Sequence, residues 1–172
     1  DHKVLINANY KASEVIEIDR NQLENKIGED GESFVLYIYT PSCSSCASFE
    51  NLVLNKYIES SQAEVFKIDF NNINNLIDTP RKYQTNPRLI IYEDGLIFNQ
   101  ISIRQNEDIF YKLESFKEYM NKYINISNLI NITFDQIDEI KSGNNVIYYG
   151  WISCGDCDYL NRHKMKEYIG NS

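Results

Sequence analysis

Residues 34–46 read FVLYIYTPSCSSC. The first six are all apolar or aromatic, which is typical of a strand buried on both faces of a sheet. A polar turn at 40–42 follows, and beyond Cys43 apolar residues recur at spacings of three and four, as on one face of a helix. The pattern predicts a strand, a turn and a helix, with Cys43 at the helix N-terminus.

This position has a chemical consequence for Cys43. The first N–H groups of a helix and its dipole favour a thiolate, so they lower the pKa of a thiol from its free value of about 8.5. The thiolate is the species that attacks a disulfide, and Cys46 lies one helical turn further on, where it can resolve a mixed disulfide. We therefore expect Cys43 to be the nucleophile and Cys46 to be the more buried, resolving cysteine.

All four cysteines of the chain fall into C-x-x-C pairs, the second pair being Cys154 and Cys157. Each pair closes almost no loop, so a disulfide there would restrict the unfolded chain very little. Four thiolates could bind zinc, but the whole of 47–153 separates the two pairs, against roughly 15–20 residues in ribbon-type zinc sites. The spacing favours redox chemistry at both pairs, with zinc binding as the alternative.

The second pair repeats the surroundings of the first. An apolar run, VIYYGWI at 146–152, precedes Cys154, and a polar segment with helical character follows over 158–169. Similar strand-and-helix patterns lie upstream of both pairs, at 14–27 and 132–140. The sequence predicts an internal duplication whose second copy is cut short.

The chain resembles the thioredoxin superfamily through these features and two others. VFKID at 65–69 is similar to the family's third strand, and RLIIYEDG at 88–95 to the strand and turn after its cis-proline, where Pro87 stands. The resemblance implies an α/β, thioredoxin-like fold, in which helices flank a central mixed sheet. It covers 14–124 completely and 128–172 in part.

The resemblance divides the chain into an N-terminal extension (1–13), a thioredoxin-like domain (14–125) and a partial second thioredoxin-like module (126–172). Residues 151–157 of that module, WISCGDC, are also similar to the bacteriocin accessory proteins of Gram-positive bacteria. A half-domain leaves a strand edge unpaired. We expect this edge to pair with a second copy of the chain in a homodimer or to pack on the first domain, unless the sequence is a truncated one.

The family also implies roles for residues outside the cysteine pairs. Its cis-proline faces the cysteines and helps to hold an extended substrate segment, so we expect Pro87 and Asn86 to bind substrate. An ordinary trans proline at the start of a strand is the alternative. Beyond them, one closing helix is predicted from the spacing of five apolar residues: Ile109, Leu113, Phe116, Met120 and Tyr123.

Several residues depart from the family pattern. Ser42 replaces the tryptophan before the first cysteine, serines at 44–45 replace Gly-Pro, and Tyr37 replaces a buried aspartate. Lys67 matches the family's buried lysine. Without the aspartate, water or another group must accept the proton of the resolving thiol.

The resemblance implies a thiol–disulfide oxidoreductase that acts on cysteines of protein or peptide substrates and requires no organic cofactor and no metal. Cys154 and Cys157 would be a second redox pair or a relay to the first, and the redox partner is unknown. The alternative is a binding or chaperone module with little turnover.

The net charge and the lengths of the apolar runs argue against two other classes of protein. A formal net charge of -8 argues against nucleic-acid binding, which needs clustered Lys and Arg. No apolar run approaches the roughly 20 residues of a membrane span. Because the chain starts at Asp1 rather than Met, we expect a processed, extracytoplasmic or secreted protein, with a cytoplasmic one as the alternative.

Overall fold

The computed structural model of the protein describes residues 1–140. The strands of this part of the chain are β1 (Val4–Asn9), β2 (Ile16–Glu17), β3 (Phe34–Tyr39), β4 (Val65–Asp69), β5 (Arg88–Glu93), β6 (Leu96–Ser102) and β7 (Ile124–Asn131). Its α-helices are α1 (Arg20–Lys26), α2 (Ser44–Phe49), α3 (Asn55–Ser61), α4 (Glu107–Tyr111) and α5 (Leu113–Tyr123). A π-helical segment, Glu50–Leu54, joins α2 to α3, and short 3-10 helices lie at Phe70–Asn72, Arg81–Tyr83 and Phe134–Ile140.

Five strands form the central sheet, in the order β2-β4-β3-β5-β6. Strand β4 runs parallel to both β2 and β3, whereas β5 is antiparallel to both β3 and β6. Helix α1 covers one face, and the helices from α2 to α5 cover the other. The predicted fold class, a mixed sheet flanked by helices, is confirmed.

Strand β3 lies in the middle of this sheet because its residues are apolar on both faces. Val35 and Tyr37 point into the core under α2–α5, and Leu36 and Ile38 into the core under α1. All four side chains are completely buried. The strand therefore delivers the turn after Tyr39, and the cysteines beyond it, to the carboxyl edge of the sheet.

The strand and helix predicted over 14–27 are present. Strand β2 is short and lies at the sheet edge, where Ile16 is partly exposed. Helix α1 begins after Asp19, whose side chain accepts a hydrogen bond from the Gln22 N–H while the Gln22 side chain accepts one from the Asp19 N–H. This capping box fixes the helix start and places Leu23 in the core.

The turn predicted after β5 joins β5 to β6. Asp94 and Gly95 have φ values of 50° and 83°. Two-residue turns between antiparallel strands favour such left-handed residues, which Asp and Gly adopt at little cost. The Asp-Gly pair thus sets the hairpin that ends the sheet.

The first residues of the chain form part of the fold. Strand β1 pairs in parallel with β7, with Val4 beside Ile124 and Asn9 beside Asn131. Val4, Ile6 and Ala8 alternate along β1 and are buried. Burial of this apolar face stabilises β1 against the core under α2–α5, so the segment expected to be an N-terminal extension contains a strand.

The single closing helix is divided in the structure. Helix α4 ends and α5 begins at Lys112, whose backbone is extended (φ -121°, ψ 119°). The break lets Ile109 and Phe110 of α4 face the same core as Phe116 and Met120 of α5. Apolar spacing alone does not reveal the break, since it fits one straight helix almost as well.

Much of the predicted second module falls outside the described residues, which end at 140. Residues 126–131 continue β7 across the proposed boundary between 125 and 126, and the similarity to bacteriocin accessory proteins falls on 151–157. The strand and helix predicted over 132–140 differ from the structure, in which β7 ends at Asn131 and a 3-10 helix covers Phe134–Ile140. The rest of the module, its pairing with another chain and the domain boundaries stay predictions. No helix within residues 1–140 is long and apolar enough to cross a membrane.

Candidate active site

Cys43 is the N-cap of α2 and is joined to Cys46 by a disulfide. The Cα atoms of the two cysteines are 5.2 Å apart, and the Cys46 N–H donates to the Cys43 Sγ at 3.1 Å. Cys43 is half-buried, whereas Cys46 is only 2% exposed. The structure thus has one accessible sulfur and one covered sulfur, as predicted from the helix position.

The turn before the cysteines explains why the helix starts there. The Cys43 N–H donates to the Thr40 carbonyl at 3.0 Å, closing a four-residue turn. Pro41 occupies the second position of this turn, where its fixed φ is favourable. The chain then continues as helix from Ser44 to Ser61, so its N-terminal N–H groups and dipole face the Cys43 sulfur.

Asn86 and Pro87 lie directly against the cysteine pair. The peptide bond between them is cis, as the resemblance implied. The Asn86 carbonyl oxygen is 3.9 Å from the Cys43 Sγ, and the Asn86 Nδ2 donates to the Thr40 Oγ1 at 3.0 Å. The structure therefore brings together all four residues predicted for this site: Cys43, Cys46, Asn86 and Pro87. Their roles in binding substrate stay predictions.

Ser45 is one residue of the site that the sequence analysis did not single out. Its Oγ lies 3.3 Å from the Cys43 Sγ, so the hydroxyl can donate to this sulfur. The serines at 44–45 were noted only as a departure from Gly-Pro. A hydroxyl two residues after an N-cap cysteine is the signal that could have identified it.

Tyr37 occupies the floor of the site, where the resemblance led us to expect an aspartate. Its side chain is completely buried, and the hydroxyl donates to the Cys46 carbonyl at 3.0 Å. Burial, reinforced by the nearby Glu50 carboxylate, raises the pKa of Tyr37 far above its usual range. This hydroxyl stays protonated and serves as a hydrogen-bond donor.

A set of charged groups lies beside Tyr37. The Lys67 Nζ and the Glu50 Oε1 form an ion pair at 2.6 Å, and both side chains are about one-fifth exposed, at 21% and 22%. The Lys67 ammonium also lies 5.3 Å from the centre of the Tyr39 ring. Burial and a hydrogen bond from its hydroxyl to Glu17 raise the pKa of Tyr39. Lys67, which was predicted to correspond to the family's buried lysine, therefore has an ion-pair partner, Glu50, that the sequence did not reveal.

The second predicted pair, Cys154 and Cys157, lies outside the described residues. Its redox role, the relay to the first pair and the alternative zinc site that needs all four thiolates are therefore untested. Among residues 1–140, no group of three or more His, Cys, Asp or Glu side chains is arranged to hold a metal ion.

The sequence matches no protein-family model and no curated protein. Among solved structures, a mutant thioredoxin from Halobacterium salinarum NRC-1 is 18% identical, with a TM-score of 0.48 over 68% of this chain and 96% of that one. Spinach chloroplast thioredoxin f (long form) is 18% identical, with a TM-score of 0.44 over 65% of this chain and 88% of that one. Oxidised thioredoxin O1 from Arabidopsis thaliana is 16% identical, with a TM-score of 0.45 over 65% and 99%.

This chain's own features define its class. It combines the β2-β4-β3-β5-β6 sheet with a C-x-x-C disulfide at a helix N-terminus and a cis-proline beside it. The protein has a thioredoxin-like fold. Its cysteine pair is placed as in a thiol–disulfide oxidoreductase.

Proposed function

We propose that the protein exchanges disulfides with cysteines of protein or peptide substrates through a mixed disulfide on Cys43. The observation that supports this most strongly is the Cys43–Cys46 disulfide itself, with one sulfur accessible and the other covered. A disulfide that encloses two residues adds little to stability, so its value lies in being formed and broken.

The reducing reaction begins with both cysteines as thiols. The Cys43 thiolate, favoured by the helix N-terminus, attacks a substrate disulfide and releases one substrate sulfur as a thiolate. Cys46 then attacks the Cys43 sulfur, which re-forms the disulfide and releases the second substrate thiolate. The same steps in reverse oxidise a substrate dithiol, and a separate redox partner resets the pair.

Asn86 and Pro87 are the proposed binding surface for the substrate segment. The Asn86 carbonyl lies against the Cys43 sulfur, and the Asn86 side chain is fixed by Thr40. A substrate backbone that lies along 86–87 would place its own cysteine next to Cys43. Substrates that offer an extended segment around the cysteine are therefore favoured.

The proposal is tested by trapping, in the full chain with Cys154→Ser and Cys157→Ser so that only the first pair reacts. On this background, Cys46→Ser should accumulate a mixed disulfide with a cystine-containing peptide, because the resolving thiol is gone. Cys43→Ser should form none. Mass spectrometry of the non-reduced protein identifies the adduct, and no adduct on the Cys46→Ser variant would contradict the proposal.

The same set of variants separates the alternatives. A binding or chaperone module would retain the peptide in the Cys43→Ser variant and show no exchange in the parent protein. The reciprocal background, Cys43→Ser with Cys46→Ser, isolates Cys154 and Cys157, which we propose as a second redox pair. Exchange by this variant with glutathione would support that role. Zinc bound by the parent protein and lost from this variant would instead favour the four-thiolate metal site.

A further inference from the structure

The resolving step requires a group that takes the proton from the Cys46 thiol. The residue on the strand beneath Cys46 is Tyr37, whose hydroxyl already donates to the Cys46 carbonyl. Because burial keeps this hydroxyl protonated, it cannot act as a base near neutral pH. A different side chain near Cys46 must accept the proton.

Glu50 is the carboxylate in the right place. It follows Cys46 by four residues on the same helix, so both side chains lie on one face. The Glu50 N–H donates to the Cys46 carbonyl, the same oxygen that accepts from Tyr37. Lys67, which forms an ion pair with the Glu50 carboxylate, lies beside Tyr37 across strands β3 and β4, so the carboxylate is held on the side of Tyr37.

The ion pair with Lys67 fixes the position of the Glu50 carboxylate, which is still in contact with solvent. Lys67 holds the Glu50 carboxylate at 2.6 Å on the side of β4, and both side chains retain some contact with solvent. A proton that Glu50 receives can therefore pass on to water. The π-helical segment begins at Glu50, and such segments often occur at functional sites.

The other groups near Glu50 are on the strands. The titratable and charged ones on β2, β3 and β4 are Glu17, Tyr37, Tyr39, Lys67 and Asp69. Helices α4 and α5 contact α2 through aromatic side chains, since Phe110 and Phe116 pack against Phe49. The two other carboxylates, Glu17 and Asp69, lie on strands, whereas Glu50 lies on the same helix as Cys46.

We propose that Glu50 accepts the proton of the Cys46 thiol during resolution, an inference that rests on the proposed function. The Cys46 S–H bond breaks and the proton moves to a Glu50 carboxylate oxygen. The new thiolate attacks Cys43, forming the Cys43–Cys46 bond and breaking the bond from Cys43 to the substrate. The substrate leaves as a thiolate, so two electrons pass from the cysteine pair to the substrate, and Glu50 returns its proton to water.

The test separates the two chemical steps, in the full chain with Cys154→Ser and Cys157→Ser. Reduced protein is mixed with dithiodipyridine in a stopped-flow instrument. The first coloured pyridinethione reports attack by Cys43, and the second reports resolution by Cys46. In Glu50→Gln, the second release should be about 100-fold slower at neutral pH, because a general base typically contributes this much. The first release should change little.

The pH profile distinguishes a proton acceptor from a structural residue. In Glu50→Gln the second release should speed up in proportion to hydroxide and approach the parent rate at alkaline pH, where Cys46 ionises unaided. Glu50→Asp should recover part of the parent rate. Glu17→Gln is the matched control, since it removes a carboxylate next to Tyr39 and should leave both releases unchanged.

Three outcomes would overturn the inference or its basis. Parent-like rates in Glu50→Gln, or slowing by the same factor at every pH, would exclude Glu50 as the proton acceptor. If the single variant does not fold, Glu50→Gln with Lys67→Gln removes both charges and is measured in its place. No first release from the parent protein would instead reject the proposed function, and with it the resolving step assigned to Glu50.

Discussion

Tyr37 shows how one residue changes the chemistry under the cysteine pair. A carboxylate at this buried position would be a base, whereas the tyrosine hydroxyl is a neutral donor to the Cys46 carbonyl. The negative charge is found instead on the helix, at Glu50, in its ion pair with Lys67. Fixing the Cys46 backbone and accepting its proton are thus assigned to two different residues.

We expect Tyr37→Phe to destabilise the protein by about 1 kcal/mol, the net value of a typical hydrogen bond. The ring and its packing on Phe49 are retained, and the Cys46 carbonyl keeps its bond from the Glu50 N–H. Denaturant unfolding of the oxidised protein measures the change.

Tyr92→Phe is the matched control for this variant. Within residues 1–140 the Tyr92 hydroxyl is buried with no hydrogen-bond partner. Its removal should be neutral or stabilising. A loss in Tyr92→Phe equal to that in Tyr37→Phe would mean that the Tyr37 hydrogen bond does not stabilise the fold.

The sequence predicts the residues of the site that depend on local pattern. Cys43 and Cys46 follow from the strand, turn and helix, and the location of Asn86 and Pro87 follows from the family resemblance. Glu50 could not be found this way, because its role depends on a contact with Lys67 on another element. Nothing in the spacing of a half-buried helix reveals which strand residue it meets.

Local pattern failed to identify β1 and its partner β7. The alternation of Val4, Ile6 and Ala8 along β1 is short, and β7 is more than one hundred residues away in the chain. Parallel strands are not joined by a tight turn, so no turn motif in the sequence indicates that β1 and β7 pair. Strand β3, by contrast, is an uninterrupted apolar run that local pattern predicts correctly, and β5 was predicted from the family resemblance.

The variant Ile6→Ala tests whether β1 is an integral strand. Ile6 is 1% exposed in the core under α2–α5, so truncation should cost about 2–5 kcal/mol. Leu5→Ala, on the half-buried side of the same strand, should cost clearly less. Thermal or denaturant unfolding gives both values, and equal small losses would mean that β1 is only an extension.

At the scale of the whole molecule, two cores lie on opposite faces of one sheet, and buried tyrosines contribute to both. Tyr57 belongs to the core under α2–α5 and Tyr92 to the core under α1. Burial raises the pKa of each to about 12, from an ordinary value of 10.0. The folded state therefore holds these protons more tightly than the unfolded state does.

This difference makes the protein sensitive to alkali. Between about pH 10 and 12 the unfolded chain loses protons that the folded chain keeps, so the free energy of unfolding should fall by about 1 kcal/mol per pH unit for each such tyrosine. Below pH 10 their stabilising contribution is complete. Denaturant unfolding at a series of pH values measures the slope, which should be shallower in Tyr92→Phe. An unchanged slope would contradict this origin.

The parallel pairing of β1 with β7 determines how the domain responds to tension. The chain enters at the Val4 end of the pair and leaves at the opposite end, at Asn131. A pull between the segments on either side therefore acts along the strands and loads their hydrogen bonds in shear, all at once instead of one by one. Separating the two strands in this direction requires all of these hydrogen bonds to break together.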